Sequence, residues 1–204
     1  MLQKRSVDPK LFKLLEGLMK MAGFEDLFLV GGTALALQLG HRISVDIDLF
    51  GKITLSEFEI SELMRAHGNI QLLNKSKNIT IYSIDGVKVD IVNYPYKWID
   101  EPVYDGGLRL AGKKDIAAMK LNAIAGRGSK KDFIDLFFLL KEFSLADMLG
   151  YYKQKYPEGS EFLVLKSLSW FEDADTEPDV MMLTGVRWME IKQVIIKTTS
   201  EYLK

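Results

Sequence analysis

LVGGTALALQLGHRISVDIDLF, residues Leu29 to Phe50, decides how the rest of the chain is read. The apolar run Phe28-Leu29-Val30 suits a short buried strand. Gly31-Gly32 ends it, because two residues without a Cβ let the backbone turn sharply and lie close to a ligand. Thr33 is placed to cap a helix that Ala34, Leu35, Ala36, Leu37 and Leu39 continue, and Gly40 to stop it. Free N–H groups at such a helix start suit a phosphate. A second strand, Val45 to Phe50, follows. Side chains alternate along a strand, so Asp46 and Asp48 share one face and Val45, Ile47 and Leu49 the other.

Two carboxylates on one strand face repel, and one proton tends to stay on. A divalent cation removes the conflict, and an all-oxygen donor set suits a hard ion such as Mg²⁺. A glycine turn beside that ion can seat a triphosphate, which is a recipe for phosphoryl or nucleotidyl transfer. Each motif alone has an ordinary reading, a tight turn or a solvated strand end. Their order, with strand, turn, helix and strand in sequence, favours the joint reading. No Gly-Lys-Ser/Thr follows the glycines, so this is not a P-loop.

The size of 204 residues fits one domain or a core plus a lobe, and 48% hydrophobic content suffices for a real core. A net charge of −1 provides no global basic field, so any nucleic-acid surface must be a local patch. With no cysteine and two histidines, disulfides and cysteine zinc sites are excluded and a histidine-rich metal site is disfavoured. No secretory signal or apolar run of membrane-spanning length is found, so a soluble cytoplasmic protein without a membrane partner is the expectation.

Upstream, Asp8-Pro9 opens a packing helix carrying Leu11, Leu14, Leu15 and Leu18. His41-Arg42 and Ser44 precede the aspartate strand; Arg42 can clamp a triphosphate and Ser44 donate a hydrogen bond to it, or both can be solvated loop residues. Downstream, Thr54 to Ala66 reads as a helix with Thr54 and Glu57 as its capping box and Phe58, Leu63 and Met64 facing inward. Asp85-Gly86 predicts a hairpin between strands Ile79–Ile84 and 87–92. On the second of these, Val87, Val89 and Ile91 face one way and Lys88 and Asp90 the other. Asp90 is then either an edge aspartate facing water or a third carboxylate beside Asp46 and Asp48. The aromatics of Asn93 to Trp98 can stack on a base or pack over the core edge.

From Lys113 the pattern turns helical. Lys120 lies in an otherwise apolar segment, where a lysine needs a partner or an anion. Arg127, Lys130 and Lys131 are expected on a connecting loop with Gly126 and Gly128, as a small basic patch or a solvated run. Asp132 either orients Lys120 or Arg127 or caps the next helix. Leu145 to Tyr156 and Phe162 to Phe171 look helical, Glu172 to Asp179 reads as a loop, and Trp188, Ile191, Ile195 and Tyr202 mark a final amphipathic helix.

GGTALALQLGHRISVDIDLF, KVDIV and DIAAMKLNAIAGRGSKKDFIDLFFLL together resemble the AbiEii/AbiGii toxin-type nucleotidyltransferases of the polymerase-beta-like superfamily, through about residue 140. The resemblance implies an α+β fold: a nucleotidyltransferase core with a mixed sheet over residues 1–112 and a helical C-terminal lobe over 113–204. It implies an enzyme moving an NMP from an NTP to an acceptor hydroxyl, with Asp46, Asp48 and Asp90 holding two Mg²⁺. Gly31, Gly32 and Thr33 would seat the phosphates, with Arg42, Ser44 and Lys120; Lys120 and Arg42 would steady the leaving pyrophosphate. It further implies a toxin with a cognate antitoxin partner, acting on a tRNA 3′ end or a protein hydroxyl. The competing readings are an inactive nucleotide- or partner-binding module of the same fold, and an aminoglycoside-type adenylyltransferase.

Overall fold

The computed structural model describes all residues, 1–204. The chain divides into two compact units, one of residues 1–95 and 102–111, the other of residues 96–101 and 112–204.

The first unit opens with helix α1 (Pro9–Leu18), started where Asp8 accepts from the Lys10 N–H at 2.7 Å and Pro9 fills the first turn. Strand β1 (Leu27–Leu29), helix α2 (Gly31–Leu39), strand β2 (Asp46–Gly51) and helix α3 (Glu57–Met64) follow. Then come β3 (Ile70–Lys75), β4 (Ile79–Ile84), β5 (Val87–Asn93), β6 (Val103–Asp105) and β7 (Leu108–Leu110). All seven strands form one sheet in the order β3-β4-β5-β2-β1-β7-β6. The β2/β5 and β1/β7 pairs are parallel and the other four antiparallel. This is the mixed-sheet architecture that the family resemblance implied.

Register partners point to the same side of a sheet. Leu29 pairs with Leu49, Ile47 with Val89, Leu49 with Ile91, and Val89 with Tyr82. These side chains, with Leu27 and Ile84, are all buried and form the sheet's half of the core. α1 adds Leu11, Leu15 and Leu18, α3 adds Ile60 and Met64, and α2, apolar around its circumference, is buried from Thr33 to Leu37. The other face carries Phe28, Phe50, Asp46, Asp48, Lys88 and Asp90.

Several local expectations are corrected. α2 begins at Gly31 itself, with Val30 as N-cap, so Thr33 lies inside the helix and caps nothing. The capping box of α3 is Ser56 with Glu59, two residues later than Thr54 with Glu57. The buried face of α3 is Ile60 with Met64, four residues apart, so Phe58 and Leu63 are exposed and only Met64 of the expected trio is buried. Val45 precedes β2 and is 62% exposed, so it does not join the Ile47 and Leu49 face. The Asp85-Gly86 hairpin is present, both residues at positive φ, 48° and 87°. β5, which carries Asp90, is internal to the sheet rather than an edge, with β4 on one side and β2 on the other.

The second unit is helical: α4 (Lys113–Gly126), α5 (Lys130–Leu139), α6 (Leu145–Lys155), α7 (Glu161–Ser167), α8 (Glu172–Thr176) and α9 (Trp188–Tyr202). α8 occupies part of the expected Glu172–Asp179 loop. Lys130 belongs to α5 and is buried, its ammonium bonded to the Glu177 carbonyl at 2.6 Å and Asp179 at 3.2 Å, so it forms no loop patch. Asp115 anchors the inserted 96–101 segment. It is fully buried and accepts from the N–H groups of Ile99 and Asp100 and from Lys155 at 2.6 Å. Lys155 also bonds the Lys97 carbonyl and lies 4.6 Å from the Trp98 ring centroid. Burial lowers the pKa of its ammonium, and Asp115 opposes that shift. Tyr94 stacks on Phe50 and Tyr96 on Tyr156, so these rings pack over core edges. No helix is long and apolar enough to cross a membrane.

Candidate active site

The open face of the sheet brings the acidic residues together. β2 and β5 run parallel with Asp48 paired to Asp90 and Asp46 paired to Lys88. Asp46, Asp48 and Asp90 therefore rise from adjacent positions on one face. The parallel pairing does this, because it sets two strands distant in sequence in a register that alternation alone cannot supply.

The glycine stretch lies against the same carboxylates. Val30 donates its N–H to the Asp48 carbonyl at 2.9 Å, tying the end of β1 to β2. Gly31 stands at φ +65°, and a Cβ built there would be 2.5 Å from Asp48 Oδ2. Backbone and carboxylate share space that no other residue would leave open. The first turn of α2 thus begins directly beside Asp48, with its backbone N–H groups at the helix's electropositive end.

Thr33 and Ser44 are buried behind this point. The Thr33 hydroxyl bonds the Asp46 carbonyl and lies 2.8 Å from the Ser44 hydroxyl. A carbonyl only accepts, so the Thr33 hydroxyl is the donor to Asp46, and the same hydroxyl faces Ser44 Oγ. Both hydroxyls are spent fixing α2 to the start of β2. That is a positioning role. Arg42 is also buried, with Nη1 donating to the Ile43 carbonyl at 3.0 Å.

Asp90 carries the strongest mark of an unfinished site. Its Oδ2 accepts from Lys88 Nζ at 2.7 Å, while Oδ1 is buried without a hydrogen-bond partner. A buried carboxylate oxygen left unsatisfied costs free energy and marks a place for a ligand or cation. Hard oxygen donors and this orphaned atom fit Mg²⁺. As the side chains stand, however, no three acidic or histidine groups converge closely enough to hold an ion. Lys88 escaped the sequence reading as a functional residue, although alternation had put it on the face of Asp90.

In the helical unit, Lys120 is buried between Asp132, at 2.8 Å, and Asp135, at 2.6 Å. Asp132 also accepts from Arg127 Nε at 3.0 Å and Ser129 Oγ at 2.7 Å, so it orients both cations instead of capping α5. Burial alone would raise the Asp132 carboxyl. The Lys120 charge and the Arg127 hydrogen bond outweigh it and hold the group well below the usual carboxylate range. Asp135 was readable as the second acid of Lys-Asp-x-x-Asp, one helical turn from Asp132.

Comparison with known proteins agrees with this chemistry. The family described as nucleotidyl transferase AbiEii toxin, type IV TA system, matches residues 13–182, well past residue 140 where the resemblance had been expected to fade. An uncharacterised protein of Aquifex aeolicus (strain VF5) is 36% identical over 196 residues, covering 93% of this chain and 94% of the relative. Two solved structures share the fold. JHP933 from Helicobacter pylori has a TM-score of 0.57 and 19% identity, covering 95% of this chain and 92% of its own. MenT4, a nucleotidyltransferase toxin of Mycobacterium tuberculosis H37Rv, has a TM-score of 0.58 and 14% identity, with 94% and 82% covered.

Proposed function

We propose, for a chain that belongs to the AbiEii nucleotidyl transferase toxin family and is an enzyme of nucleotidyl transfer, that it moves an NMP from an NTP to an acceptor hydroxyl on a tRNA 3′ end or a protein. The observation that carries this reading is the register pairing of Asp48 with Asp90, with the Gly31 backbone against Asp48.

Asp46, Asp48 and Asp90 would hold Mg²⁺, two ions in the fullest arrangement, which when bound supplies charge neutralisation at the triphosphate and activation of the hydroxyl. The chain's own groups do the rest. Gly31 and Gly32 give the phosphates a close backbone approach at the start of α2. Thr33 and Ser44 hold that helix against β2. The acceptor oxygen bonds to the α-phosphorus as the bond from that phosphorus to the β-bridging oxygen breaks, and pyrophosphate leaves with the electron pair. Asp90 takes the hydroxyl proton. Arg42 and Lys120 are assigned to the charge of the leaving pyrophosphate. Within its own unit Lys120 is held by Asp132 and Asp135. Residues 1–112 serve as the catalytic core and residues 113–204 as a helical lobe. An antitoxin partner follows from the family's biology.

The test is incubation with each α-labelled NTP, Mg²⁺, and total tRNA or cell protein. Labelled product that disappears in Asp48→Ala and on chelation supports the reading. Tight NTP binding with no product on any acceptor would reduce the chain to a binding module.

A further inference from the structure

Lys88 is the one cation that the sheet register places among the three carboxylates. Its Cα is the partner of Asp46, and its strand neighbour on the same face is Asp90, whose own partner is Asp48. Its ammonium reaches Asp90 Oδ2 at 2.7 Å, and its side chain is 43% exposed against 17% for Asp90. The lysine therefore leans from the solvent side onto a mostly buried acid. With that oxygen engaged, no three acidic side chains are grouped closely enough to hold an ion. Their mutual repulsion is partly relieved without any bound ion.

We propose that Lys88 is a resident counter-cation: its ammonium occupies Asp90 Oδ2 until a divalent ion displaces it, so that the acidic face binds such an ion more weakly than it would without the lysine. The inference rests on the nucleotidyl-transfer reading above. Lys88 acts through Asp90 and is a positioning residue, not a catalytic one. Its exposed, flexible stem lets the ammonium swing into water, at the cost of its 2.7 Å ion pair with Asp90. An ion at Asp90 would otherwise sit within about 5 Å of a unit positive charge. Even in water-like surroundings that repulsion weakens divalent binding on the order of tenfold, and added salt reduces it.

The experiment is a Mn²⁺ titration of the intact chain without nucleotide, read by the free-ion EPR signal, for wild type, Lys88→Met and Lys88→Arg. Lys88→Met is expected to bind Mn²⁺ about tenfold more tightly, a gain that shrinks as KCl is raised, while Lys88→Arg stays near wild type. A merely structural lysine would not tighten binding when removed, and thermal unfolding of each variant confirms an intact fold. Unchanged or weaker binding in Lys88→Met overturns the proposal, and so does no binding in any variant. In that last case, labelled product that still vanishes in Asp48→Ala would leave the nucleotidyl-transfer reading standing, so the two failures are distinguishable.

Discussion

Gly31→Ala offers a sharp probe of the site, because two costs act there and one can be subtracted. The first is backbone strain. At φ +65° an alanine Cβ crowds its own carbonyl, which costs about 1–2 kcal/mol. Gly86, in the β4–β5 hairpin at φ +87°, imposes the same class of strain, but a Cβ there meets nothing within 4 Å. The second cost belongs to Gly31 alone. Its Cβ would lie 2.5 Å from Asp48 Oδ2, so the carboxylate must retreat by roughly 1 Å to reach ordinary contact. A misplacement of that size at reacting groups costs on the order of 10²-fold in rate. Both variants should therefore lose about 2–8 °C of Tm, at roughly 2–4 °C per kcal/mol for a chain of this length. Only Gly31→Ala should lose nucleotidyl transfer, measured as label moved from an α-labelled NTP to the acceptor that wild type uses. If Gly31→Ala kept the activity of Gly86→Ala, the claim that Asp48 and the glycine backbone share one catalytic space would be refuted.

The remaining predictions concern the groups that hold the site. Thr33→Val keeps the shape of the side chain but strands the buried Asp46 carbonyl and the Ser44 hydroxyl, so unfolding by urea should show a loss of about 1–3 kcal/mol; an unchanged midpoint would remove Thr33 from the hinge between α2 and β2. Asp132→Ala leaves the buried Lys120 ammonium with less compensation, although Asp135 stays 2.6 Å away and the Arg127 side chain is largely exposed, and should destabilise by about 1–3 kcal/mol. Because the folded Asp132 carboxyl is held below its ordinary value, its contribution is complete above about pH 4, the unfolded carboxylate range, and fades as pH falls toward the folded value. Asp132→Asn should accordingly flatten the acid limb of a stability–pH curve below pH 4 and leave its shape at neutral pH alone; an acid limb identical to wild type would contradict the assignment.

The sequence by itself determined the elements that local chemistry controls. Gly40 ends α2 in the left-handed region, Asp85-Gly86 makes the hairpin, and Asp8-Pro9 starts α1. Period-two alternation placed Asp46 with Asp48 and Lys88 with Asp90, because a strand leaves each side chain only two directions. Alternation is silent on which strands become neighbours. Only the tertiary structure set β5 parallel to β2 with Asp48 opposite Asp90, and only it brought the Thr33 hydroxyl to the Asp46 carbonyl and the Ser44 hydroxyl. The same limit appears in α3, which is capped at Ser56 instead of Thr54 and buries Ile60 and Met64 while Phe58 and Leu63 face outward. Local propensity fixes where an element lies to within a residue or two, whereas direction depends on that residue or two and partnership on contacts distant in sequence.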